Sequence, residues 1–206
     1  MSMQVRQCVW RRRQCPFRAL DLKLTSTSML RGMVMTVNLR GLVQMTFTAM
    51  FLAAVPIGIG ATVVMDLWGL LLRRLGIATL NFAMVGRWAG HLLGGRVSHQ
   101  AIAKAEPVRN ELAWGWVIHY AIGVLFAMLL VVIAGEGWLR SPTLLPAVVV
   151  GVGTAVAPLC FMQPAMGAGF FASRTPTPAR NCLKSLATHF VFGVGLFLSA
   201  GLLALV

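Results

Sequence analysis

Four long apolar runs divide the chain. Residues 46–72 are apolar except for Asp66 and end at Arg73-Arg74. Residues 114–134 contain no Asp, Glu, Lys or Arg and a single histidine, His119. A third run lies within Ser141–Ser173, a stretch with no charge, and is placed at 143–163. The fourth covers 185–206, with His189 near its start. A helix needs about 20 mostly apolar residues to cross the hydrocarbon core of a bilayer. Each run therefore predicts a membrane-spanning helix, and the expected fold is all-α, a polytopic four-transmembrane-helix bundle. Pro56, Pro146 and Pro158 fall inside the first and third runs. Neighbouring helices can re-satisfy the carbonyl that a proline frees, so these residues predict kinks rather than breaks.

The only long connection is 73–113. Within it Phe82, Val85, Trp88, Ala89 and Leu92 recur at helical spacing, while Arg87 and His91 lie four apart on another face. That pattern predicts an amphipathic helix near 81–94 at the membrane interface. Packing of the same helix on the bundle is the open alternative.

Charge refines this picture. Only 11% of residues are charged, against about 25% in a soluble domain. The net charge of +13 does not point to nucleic acid, because the basic residues flank apolar runs and form no nucleic-acid motif. The expected partner is the lipid bilayer. Six Lys or Arg lie between the first and second spans, and Arg174, Arg180 and Lys184 between the third and fourth, against Arg140 alone at 135–142. Cytoplasmic loops are enriched in such residues, so both long connections are expected in the cytoplasm. The first 45 residues oppose this, with eight basic residues and one acid, Asp21. They show no apolar period and no secretory signal pattern. Residues 1–45 are therefore expected to be disordered or untranslated, with a start at Met45 or Met50, and 46–206 to be the membrane domain. A basic tail on anionic headgroups is the alternative. Cys8, Cys15, Cys160 and Cys182 show no CxxC or zinc spacing and read as small hydrophobes.

Ionisable groups inside spans are costly and are candidates for function. They are Asp66, His119 and His189, joined by the amide of Gln163. With the loops placed as above, all four come roughly 6–10 Å below the cytoplasmic boundary. Each also continues a line of small residues four apart: Ala54, Gly58 and Thr62 before Asp66; Gly115, Gly123 and Ala127 around His119; Ala147, Gly151, Ala155 and Leu159 before Gln163; Gly193 after His189. Small residues admit close helix contact, so the polar groups are expected to face the bundle interior. Three uses are open to them. They could be a hydrogen-bonded cluster that fixes packing. They could be a proton or cation path. Or Asp66, His119 and His189 could bind a divalent metal, although no H-x-x-x-H or H-E-x-x-H spacing is present.

A second group is Met162-Gln163-Pro164-Ala165-Met166-Gly167-Ala168-Gly169, followed by Ser173-Arg174-Thr175-Pro176. Pro and Gly end a helix here. The segment is expected to be interfacial, either a plain loop or a re-entrant stretch with Arg174 beside a lipid phosphate or Asp66. No Gly-Lys-Ser/Thr ending makes it a P-loop.

These residues resemble a bacterial membrane family catalogued as domain of unknown function 2938. The resemblance rests on Met65-Asp66-Leu67-Trp68, Gly86-Arg87-Trp88 with Gly90-His91, and Gly115-Trp116 with His119-Tyr120. It continues through Met162-Gln163-Pro164, Arg174-Thr175-Pro176, and Thr188-His189 with Phe192-Gly193. It covers roughly residue 53 to the C terminus. It implies a bacterial inner-membrane location and carries no activity, cofactor or catalytic residue. The expected function is a small transport or membrane-complex component; the alternative is a membrane-embedded, metal-dependent enzyme acting on a lipid or small molecule. So small a bundle encloses little cavity, so transport would imply a homo-oligomer.

Overall fold

The computed structural model describes the backbone of residues 21–205 and the side chains of residues 48–205. The chain divides into two compact units, Met1–Phe47 and Thr48–Val206. Of the first, the described part is the backbone of 21–47, the opening part of α1 (Asp21–Arg74). The expectation for 1–45 otherwise lies outside the described residues.

The second unit continues α1 and adds α2 (Phe82–Leu93), α3 (Glu111–Arg140) and α4 (Leu144–Gly153). A π-helical stretch (Ala157–Met162), α5 (Gln163–Met166) and α6 (Pro178–Leu203) follow. No strand occurs among the described residues, as the apolar periodicity predicts. Among the described residues, four helical stretches are long and apolar enough to cross a membrane: Thr48–Arg74, Glu111–Arg140, Leu144–Met166 and Pro178–Leu203. Even the third, with 23 residues, is about 34 Å long at 1.5 Å per residue, enough for a core of about 30 Å. Their outer faces carry exposed Leu67, Leu125, Leu145, Phe161 and Leu183, the surface expected to meet lipid tails.

The boundaries differ from the apolar runs where polar residues extend a helix. The last helix starts at Pro178, seven residues earlier than expected, because Arg180 and Lys184 interrupt the hydropathy but not the helix. Proline suits its first turn, where a missing N–H loses no bond. Lys184 then donates to the carbonyl of Ala78, 2.7 Å away, tying α6 to the connection after α1. The second span, expected at 114–134, runs over Glu111–Arg140. Gly135 there takes φ 76°, ψ 178°, and interrupts the helix before the turn carrying buried Trp138. In the third span Pro146 lies in the first turn of α4, where its lack of an N–H is harmless. The stretch around Pro158 is more than a kink. Bonding tightens at Ala155, whose N–H reaches Val152, and then widens to the π form at Ala157–Met162.

The small-residue lines are packing faces, as expected. Ala54, Ile57, Ala61 and Thr62 of α1 have no exposure and lie against α3 and α6. Gly58 of α1 abuts the backbone of Val124, and Ala61 abuts Gly195. Ala127, Leu130, Val131, Ala147, Phe192 and Leu196 complete the core. The closest approach of α4 to α6 is Gly151 on Gly193: a Cβ on Gly151 would stand 2.5 Å from the Cα of Gly193. Backbone cannot step aside as a flexible side chain can. Gly151→Ala is therefore expected to cost about 1–3 kcal/mol, seen as a lower unfolding temperature in detergent. An unchanged unfolding temperature would contradict this packing.

Candidate functional site: a carboxylate held between two spans

Asp66 stands at the end of the buried line Ala54–Gly58–Thr62 on α1. One turn carries the line from Thr62 to Asp66, so the carboxylate points where the small residues have drawn α3 close. Two successive α3 side chains meet it. His119 Nε2 lies 2.9 Å from Oδ1, and the Tyr120 hydroxyl donates to Oδ2 at 2.9 Å. With Asp66 ionised, the His119 Nε2–H is the donor. Side-chain exposure is 10% for His119 and 21% for Asp66, so the pair is enclosed but not sealed. Hydrogen bonds to a charged acceptor in such surroundings are stronger than in water.

Aromatic rings wall the pair. Phe82, the first residue of α2, places its ring 4.4 Å from that of His119 and 4.4 Å from that of Trp116. The Trp116 ring meets His119 edge-on at 5.8 Å. α2 reaches this position through a glycine contact: Gly86 lies on the carbonyl of Glu111, and Gly115 on that of Phe82. Asn81 caps the helix, its side chain accepting from Ala83 N at 3.0 Å. α2 is thus the packed helix of the two arrangements open from the sequence.

Arg87, expected at the interface, is turned inward. Its guanidinium forms a two-pronged bond with Glu111 at 2.8 Å on each prong and donates to the carbonyls of Ala105 and Ala103 at 3.0 and 3.3 Å. The pairing raises the Arg87 pKa further above its ordinary value, burial opposing. Glu111 also accepts from Val108 N at 3.2 Å and so fastens the end of the long connection. His91 sits with Nε2 2.9 Å from the Glu106 carbonyl. Arg174 is exposed, in a compact turn closed by its own N–H on Ala168 O and by Asn181 on Thr175.

Of the four polar residues expected in one cluster, Asp66 and His119 bond each other, while His189 and Gln163 do not join them. His189 of α6 faces Thr154 of the third span, Nδ1 to Oγ1, 2.9 Å. The Thr154 hydroxyl donates to Gly151 O at 2.5 Å, so its oxygen is left to accept from His189. Thr154 lies where α4 gives way to the π stretch, and its hydroxyl occupies the local gap in the helix bonding. Gln163 Oε1 is buried and has no partner, as is Trp68 Nε1 two residues beyond Asp66. The metal set considered above, Asp66, His119 and His189, is not gathered. Among the described residues no three His, Cys, Asp or Glu side chains come together as metal ligands.

Tyr120, Thr154, Phe82 and Glu111 complete these contacts, and none stood out as a site residue in the sequence. Glu111 could have been found. The chain has five acids, and Glu111 lies four and eight residues before Gly115 and His119, on the same helical line. Neutral Tyr120 and Thr154 carry no such signal.

Residues 55–203 match the model of a family described as protein of unknown function (DUF2938). The chain belongs to that family. No curated protein and no solved structure matches it. The family match bears out the resemblance read from Met65-Asp66-Leu67-Trp68 and the later motifs. In this DUF2938 member the matched region takes in nearly all of the four apolar spans, α2, and the Asp66, His119, Gln163 and His189 positions. The family description attaches no activity to them.

Proposed function

We propose that this DUF2938 member is a small transport component of a bacterial inner membrane, and that Asp66 is its proton-exchanging group. The observation that carries the reading is the Asp66 carboxylate itself, held by His119 and Tyr120 between two apolar spans. A charge in that position is costly unless it is used or fully paired. Packing alone needs no carboxylate, since the small-residue contacts already hold α1 to α3. Imidazole beside a carboxylate offers two groups able to pass a proton near neutral pH.

Both long connections face the cytoplasm in this reading, by the basic residues they carry. The pair then lies nearer that side, seven residues before Arg73. Gly58 against Val124 and Gly151 against Gly193 leave little room along the bundle axis. A path for anything larger than a proton would therefore run between copies of the chain, and the functional unit would be a homo-oligomer. The test is proton uptake into proteoliposomes under an imposed pH gradient, followed with an internal pH dye. The wild-type chain is expected to conduct and Asp66→Asn to fall to the level of empty vesicles. Equal uptake by both proteins would remove the proposal.

A further inference from the structure

A second histidine centre lies outside the spans. His99 sits in the connection between α2 and α3, three residues before a short 3-10 turn at Ile102–Lys104, yet it is 6% exposed. Both of its ring nitrogens are buried and neither has a hydrogen-bond partner. That is unusual, because a buried imidazole ordinarily places at least one nitrogen on a partner.

The backbone around His99 explains how it is held. Its N–H donates to the carbonyl of Ala165 in α5 at 2.8 Å. Gly167, at φ +97°, ends α5, and the carbonyls of His99 and Gln100 press against it so closely that a Cβ could not be accommodated. On its other side the His99 ring meets the His91 ring edge-on, centroids 5.0 Å apart. His91 is itself fixed to the Glu106 carbonyl. One residue therefore joins α2, the long connection and the end of the third span.

We propose that His99 is an acid-released latch, holding the 94–110 connection on α5 while its ring is neutral and letting go when the ring is protonated. A charged imidazolium in the latched position would have a hydrogen bond at neither nitrogen, with only the Ala165 carbonyl acting in its favour. The ionisable groups acting on it are Arg96 on its own segment and His91 from α2; residues 163–167, packed against it, contribute none. Burial, then Arg96, then His91 hold the His99 pKa below its ordinary value of 6.5, and the Ala165 carbonyl opposes them least of all. The sign follows. The released segment takes up its proton at the ordinary pKa and the latched one only below it. Latching is complete above about pH 6.5 and weakens about tenfold per pH unit as pH falls toward the latched pKa. The device requires no particular activity at Asp66 and stands or falls separately.

Amide exchange of the full chain in lipid nanodiscs, read by mass spectrometry as protection factors, tests it. On acidification from about pH 7.5 to about pH 5, protection over residues 96–102 is expected to fall while the spans keep theirs. His99→Gln should abolish that dependence. Arg96→Gln, a change at an exposed residue, should shrink the acid-dependent loss, because removing a repelling charge narrows the gap between the latched and released pKa. His91→Gln should do the same. Constant protection in the wild type, an unaltered fall in His99→Gln, or a fall as large in Arg96→Gln as in the wild type would overturn the latch. Loss of the dependence in His91→Gln would assign the sensor to His91 and overturn it equally.

Discussion

Asp66→Asn is expected to reduce pH-driven proton uptake to the background of empty vesicles while leaving the bundle folded. The geometry separates these two effects. An asparagine oxygen can still accept the Tyr120 hydroxyl, now 2.9 Å from the carboxylate. Its amide can donate to His119 Nε2, which then takes the opposite tautomer to the one that serves a carboxylate. Shape and bonding survive; the titrating charge does not. Asp66→Ala tests the opposite combination. It leaves the Tyr120 hydroxyl and the His119 ring without an acceptor, at about 1–3 kcal/mol for each buried unsatisfied group. Alanine is therefore expected to lower both uptake and unfolding temperature, asparagine only the first. Tyr120→Phe removes one bond and keeps the carboxylate, so it should retain measurable uptake.

Glu111→Ala is expected to free α2 and the connection that follows it. Arg87 would keep the carbonyls of Ala103 and Ala105 but lose both prongs of its ion pair, and Val108 N would lose its acceptor. Breaking one side of an enclosed pair costs more than the pair contributes, because it strands the other charge. Protease cleavage within 94–110 should rise at least about tenfold. Phe82 would withdraw with α2, and the rings around His119 would loosen. The double change Arg87→Met with Glu111→Leu removes both charges and should restore much of the protection. Lysine at position 87 should not, since an ammonium cannot make the two-pronged bond. Cleavage that stays at the wild-type level in Glu111→Ala would show that the glycine contacts alone hold α2.

The spans and their inner faces were legible in the sequence because both follow from period and composition. Ala54, Gly58, Thr62 and Asp66 lie four apart, and four-residue spacing is a property of the helix itself. The Asp66–His119 contact was half legible: each residue was identifiable by cost, but not that each would bond the other rather than His189. That choice depends on which helices adjoin, and α1 lies beside α3 while His189 faces the third span. The rewinding at Thr154–Met162 leaves no trace in hydropathy, which does not register whether a carbonyl bonds three, four or five residues on. The inward turn of Arg87 was hidden for another reason. A basic residue on an amphipathic helix has the same pattern whether it meets headgroups or a carboxylate, and Glu111 lay just outside the apolar run that began at Trp114. His99 was invisible because its burial comes from docking on Gly167, a contact between segments 68 residues apart.

The central claim is that Asp66 exchanges its proton within the membrane domain, and infrared difference spectroscopy on the chain in lipid reads that directly. Across the pH range over which the wild type takes up protons, it is predicted to gain a protonated-carboxyl band as a carboxylate band is lost, with both changes absent in Asp66→Asn. Identical difference spectra from the two proteins would contradict it.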